Sequence, residues 1–142
     1  MAVVLGQKRV IDTKEYNDYA IGLSLPLQIG KSAFNQTYNT IDQVKTNIKS
    51  LLLTRRQERV MQPFLGSGLH EVLFEMNDEQ LVTKIEDTIT EAVSFWLPFV
   101  NINEIVVTAD NNMKDNNVVE VSIDFTVGND AQLNQVTFTV GG

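Results

Sequence analysis

The residues best suited to acid–base or metal chemistry in this 142-residue chain are a single histidine and a scatter of carboxylates. His70 stands beside Glu71 and near Glu75. A catalytic triad needs a histidine base held between a nucleophile and an orienting carboxylate. One histidine on a short expected helix reads instead as a surface residue. Zinc sites draw on several nitrogen or sulfur ligands, and a chain with one histidine and no cysteine supplies no usual set. Glu71, Glu75, Asp78, Glu79, Glu86, Asp87 and Glu91 are numerous enough to furnish two glycosidase carboxylates. That chemistry requires two groups at a fixed separation across a sugar, one of them with a raised pKa. Asp78 and Glu79 are placed to favour the start of a helix, and Glu86 and Glu91 fall off that helix's apolar stripe. The expected reading is a solvated helix face, with no catalytic, cofactor or metal site.

Two loops and one cluster complete the chemical inventory. Residues 110–117, Asp-Asn-Asn-Met-Lys-Asp-Asn-Asn, resemble a calcium loop in composition. They lack its central glycine and its closing glutamate, and place a lysine where a ligand belongs. Gly66-Ser67-Gly68 lacks the Gly-Lys-Ser/Thr continuation of a phosphate loop. Arg55, Arg56 and Arg59 form the densest basic cluster, readable as a solvated turn or as a docking patch for an acidic partner.

The bulk numbers narrow the classes further. Hydrophobic residues make up 43% and charged residues 20%, an ordinary globular balance. A chain of this size buries roughly two-thirds of its unfolded surface, enough for a core without staples. The net charge of -7 and a pI near 4.6 argue against nucleic acid, which is bound largely through basic surface. No apolar run approaches the ~20 residues that span a bilayer. Lys8 and Arg9 follow the short apolar start, the wrong side for a secretory signal. The chain therefore reads as a soluble protein assembled in a cytoplasm.

The elements that must position these residues follow from periodicity. Leu23, Leu25, Leu27 and Ile29 alternate with polar residues and proline, which predicts an extended edge segment. Residues 31–39 read as a polar loop. A helix is expected over 41–53, with Thr40 and Gln43 as a capping box and Ile41, Val44, Ile48, Leu51 and Leu52 on one face. A short helix over 69–74 can be capped by Ser67. The longest stripe, Leu81, Ile85, Ile89, Ala92 and Trp96, predicts a helix capped by Asn77 and ended by Pro98. The period then changes to two. Strands are expected over 104–109, 119–127 and 132–140, turning at 110–117 and 128–130. The fold class is α+β: amphipathic helices packed on one face of a small antiparallel sheet, a C-terminal three-stranded meander. Residues 1–21 read as an N-terminal extension and 22–142 as a single domain.

A spaced series runs through this frame: Leu51-Leu52-Leu53-Thr54-Arg55, Glu58-Arg59-Val60-Met61, Pro63 to Leu69, and Leu73-Phe74-Glu75. It resembles the baseplate wedge family shared by contractile phage tails and type VI secretion systems, often labelled lysozyme-like. The likeness covers roughly residues 22–140. There are departures. Arg56 and Gln57 stand where the family has proline and glycine, and Phe64-Leu65 where it has glutamate and phenylalanine. Leu97, Pro98 and Phe99 stand where it has Glu-Pro-Arg, so its charged contact with the wedge's helical core cannot be made by these side chains. The resemblance implies a structural adaptor of the virion's tail baseplate, joining other wedge proteins to inner baseplate or tail tube proteins. It also implies a sheet on which the tail sheath protein begins to assemble. Leu97, Pro98 and Phe99 are then expected at an apolar interface, and Arg55, Arg56 and Arg59 remain a separate candidate patch for a partner. The last strand, with Val136, Thr137, Phe138, Thr139 and Val140, is expected to be a free sheet edge. A cell-wall glycosidase and a free-standing binding module are the other readings, and neither nucleic acid nor membrane is an expected partner.

Overall fold

The computed structural model describes residues 19–25, 35–74, 80–108 and 118–141. Five strands and three helices follow in the order β1 (Gly22–Leu23), β2 (Gln36–Thr37), α1 (Thr40–Leu53), α2 (Leu69–Phe74), α3 (Leu81–Trp96), β3 (Val100–Thr108), β4 (Val118–Val127) and β5 (Asn134–Gly141). Strands β3, β4 and β5 form an antiparallel sheet in that order, with β4 in the middle.

Strict alternation builds the two faces of this sheet. Val119, Val121, Ile123, Phe125 and Val127 of β4 are buried, as are Val136, Phe138 and Val140 of β5. The residues between them point to the other, wetter face, where Ser122 and Thr137 share a hydroxyl hydrogen bond of 3.1 Å. Apolar residues from α1, α2 and α3 close over the dry face: Ile48, Leu52, Leu69, Ile85 and Ile89 are fully buried there. Helix α1 and α2 contact β5, whereas α3 contacts β3. The fold is α+β, with one core between a helical layer and a meander.

Several local expectations need correction. β3 starts at Val100, four residues before the expected strand, because a bulge between Ile102 and Glu104 shifts its phase. Val100 and Ile102 precede the shift and Ile105 and Val107 follow it, so no single alternation spans the strand. The cap of α1 is Asn39, whose backbone is extended and whose side chain accepts from Ile41 N–H at 3.1 Å. Thr40 is already helical. Gln43 does not close a capping box, since its amide accepts from Thr37 Oγ1 at 2.6 Å and donates to Asn47 at 2.9 Å. Within 31–39, Gln36–Thr37 pairs with Gly22–Leu23 rather than forming loop. α3 is preceded by Gln80, which makes no side-chain cap. The expected cap Asn77 and its neighbours Asp78 and Glu79 lie outside the described residues, as do the expected extended segment beyond Leu25 and the hairpin turn at 110–117.

Candidate functional site

Three surfaces bring together the residues singled out above. The first is the connection from α1 to α2. Its backbone is ordered by its own hydrogen bonds: Gln57 N–H donates to Pro63 C=O at 2.7 Å, and Arg55 N–H to the Glu58 carboxylate at 2.9 Å. An isolated bridge joins Arg55 to Ser67 and closes the base. Ser67 anchors that base in the core. Only 1% exposed, it donates through Oγ to Leu52 C=O at 2.7 Å, at the end of α1. It accepts from Leu69 N–H at 3.4 Å, so the expected cap of α2 is weak in geometry. Arg55, Arg56 and Arg59 are all exposed. Arg56 meets Glu91 of α3 at 3.9 Å, a solvated pair of small energetic weight. Beyond them Val60, Met61 and Phe64 are 94%, 92% and 84% exposed. Sequence reasoning missed these three. The available signal was an apolar run with no helical or strand period, lying next to Pro63.

The second surface is the end of α3. Leu97 caps the helix through its N–H to Val93 C=O at 2.8 Å. Leu97 and Phe99 are half-buried and pack against the core, while Pro98 between them is exposed. Phe99 is held further by its C=O, which accepts from Gly128 N–H at 2.8 Å. The outward aromatic is Phe95, 74% exposed, with its ring edge-on to Trp96 at 5.1 Å. Its spacing from Thr88 and Glu91 placed it on the polar face of the helix, a signal legible in the sequence but not used.

The third surface is β5. It lies at one edge of the sheet, and β3 lies at the other. Val136, Phe138 and Val140 face the helices, and Thr137 and Thr139 are exposed on the opposite face. Among the described residues no strand pairs with the outer side of β5, because β1 pairs with β2 in a separate ribbon. Residues 131–142 carry neither charge nor proline, the usual devices that blunt an edge.

The remaining chemical candidates do not converge. His70 lines an open cleft of about 570 Å³ with Leu53, Arg55, Arg56, Gln57 and Glu58. Glu71, Asp87 and Glu91 are exposed and Glu86 half-buried, while Glu75 lies outside the described residues. Among the described residues no group of three or more His, Asp or Glu could hold a metal ion, and no helix is long and apolar enough to cross a membrane.

Against this geometry the sequence matches the family model "Baseplate wedge protein gp25" over residues 39–132, from the cap of α1 to the turn before β5. The chain belongs to the gp25 baseplate wedge family. Solved structures share the fold. A candidate tail lysozyme from Geobacter sulfurreducens superposes with a TM-score of 0.65 at 20% identity, over 74% of this chain and 93% of that one. A chain of the anti-feeding prophage baseplate gives 0.54 at 17% identity, covering 82% of this chain and 81% of its own. A chain of the type VI secretion baseplate complex gives 0.53 at 15%, covering 71% and 92%. No curated protein matches the sequence significantly. The gp25 match includes the α1–α2 connection, the end of α3 and all of β4.

Proposed function

We propose that this chain is a structural subunit of a contractile-tail baseplate, which joins wedge proteins to the inner baseplate and offers β5 to the first ring of tail sheath. Membership of the gp25 family supports the baseplate role. The observation that carries the sheath role is the edge position of β5, uncharged and unpaired among the described residues. A strand at an open edge presents backbone N–H and C=O groups that an incoming strand can pair with. Two of the solved relatives are baseplate assemblies, which supports assembly with other baseplate proteins. The place of action is the tail baseplate of the assembled particle, put together in the host cytoplasm.

The role is structural and not enzymatic. A likeness to a candidate tail lysozyme carries fold and not chemistry. Pro98 and Phe95 supply the outward apolar surface at the end of α3. They, with Leu97 and Phe99 behind them, replace the ionic contact implied by the family resemblance.

Thr137→Pro tests the sheath role. Proline removes one donor and clashes with a regular ladder, yet is tolerated at an unpaired edge. Baseplates carrying the variant should form and contain the chain, but few should bear sheaths in electron micrographs. Thr137→Ala removes only the hydroxyl pair with Ser122 and should sheath normally. Normal sheaths on Thr137→Pro baseplates rule out β5 as the docking strand.

A further inference from the structure

The loop between α1 and α2 exposes what a folded chain ordinarily buries. Val60, Met61 and Phe64 are each more than four-fifths exposed. Contiguous exposed apolar side chains mark an interaction site more often than scattered ones do. The loop is held in shape without them. The bridge of Arg55 to Ser67, the hydrogen bond from Gln57 to Pro63 and the buried Ser67 hydroxyl fix its stem on α1. A projection ordered before binding loses little conformational entropy when it docks.

Charge then selects the occupant. Three of the chain's 11 basic residues fall within residues 55–59, beside one of its 18 acidic residues. That acid, Glu58, is already accepting from Arg55 N–H at 2.9 Å. Of the three arginine side chains, that of Arg56 pairs with a carboxylate, Glu91, at 3.9 Å. The loop is therefore a basic, apolar-tipped projection on a chain of net charge -7. That net charge repels both a second copy and an anionic lipid surface. Arginine and aromatic residues are also the types enriched at protein interfaces.

We infer that the loop is a prong that fixes this chain in the baseplate by entering an apolar pocket rimmed by aspartate and glutamate on another baseplate subunit. The inference rests on the proposed baseplate role and names a partner surface separate from β5. Val60, Met61 and Phe64 fill the pocket. Arg55 and Arg59 meet its acidic rim, while the cleft beside His70 leaves room for the rim to approach.

The test uses the full chain in assembling particles, with p-benzoylphenylalanine placed at Met61. Irradiation should join the chain to a peptide of another baseplate subunit, rich in apolar residues and flanked by acids. In parallel, the triple variant V60S/M61S/F64S should lower the chain's occupancy in baseplates about tenfold, with its melting temperature unchanged. R55E/R59E should lower occupancy as well, and wild-type retention should fall as salt rises. An adduct to a second copy, to lipid or to a host protein overturns the inference, as does no adduct. Unchanged occupancy of the triple variant also overturns it. If the wild-type chain itself is absent from baseplates, the proposed function fails. If it is present and the variant equally so, only the prong fails. The Thr137→Pro phenotype differs, because those baseplates keep the chain and lack sheaths.

Discussion

At the scale of single residues, the stem of the prong depends on Gly66. Its φ is 125°, a region side chains other than hydrogen rarely occupy. A Cβ there would lie 2.5 Å from Thr54 C=O and 3.0 Å from the Arg55 carbonyl carbon. Neither obstacle can retreat easily, because Ser67 N–H donates to that same Thr54 oxygen at 3.0 Å. Gly66→Ala should therefore cost about 2–4 kcal/mol, read by urea unfolding at constant m-value. Gly128 provides the contrast. Its φ is 60°, but an added Cβ would meet nothing within 4 Å. Gly128→Ala should cost only about 1 kcal/mol, the backbone penalty without the clash. Equal losses for the two would mean that contact with Thr54 is not what makes Gly66 necessary. In the sequence, Gly66 and Gly68 flanking Ser67 marked a turn. Which of the two needs a positive φ depended on how the chain returns to Thr54, a contact across twelve residues that local pattern does not encode.

At the scale of elements, periodicity was readable where one element has one face and unreadable where the phase breaks. The stripe Ile85, Ile89 and Ala92 emerged as the buried face of α3, and the alternation of β4 emerged in full. The bulge in β3 hid its first four residues, and the helical wheel stopped having meaning at Pro98. Leu97 and Phe99 were consequently expected outside the core, whereas the turn folds them back onto it. The hydrogen bond from Gly128 to Phe99 accounts for this, by tying the helix end to the far end of β4. The two aromatic residues near the helix end should then behave oppositely. Phe99→Ala removes a half-buried ring and should destabilise the isolated chain by about 2 kcal/mol. Phe95→Ser, on a ring 74% exposed, should change stability by less than about 0.5 kcal/mol. Chemical denaturation of both variants decides it. A Phe99→Ala chain of wild-type stability restores Phe99 to the interface and removes it from the core.

At the scale of the whole molecule, the sequence disclosed the α+β class and the baseplate family, since both are written in long patterns: helical stripes, strand alternation and a spaced motif series. It did not disclose the prong, because exposure of Val60, Met61 and Phe64 is a property of the folded surface and not of their type. The same contrast bears on enzymatic activity. Carboxylates are plentiful in the sequence, but a retaining or inverting glycosidase needs two of them facing each other across roughly 5–9.5 Å, one in an apolar setting. Glu71 on α2 and Asp87 and Glu91 on α3 are exposed, and Glu91 faces Arg56. Exposed side chains such as these do not sit in the apolar setting that the acid of such a pair needs. Among its lining residues the cleft beside His70 has one carboxylate, Glu58, and so no facing pair. Purified protein should therefore leave a peptidoglycan suspension turbid over the time in which hen lysozyme clears it. The result that reverses this reading is specific. Clearing by the wild-type chain that vanishes in Glu71→Gln or Glu75→Gln, with the fold intact by circular dichroism, would establish a catalytic carboxylate. Clearing that persists in both variants would instead indicate a contaminating hydrolase, which a further purification step should remove.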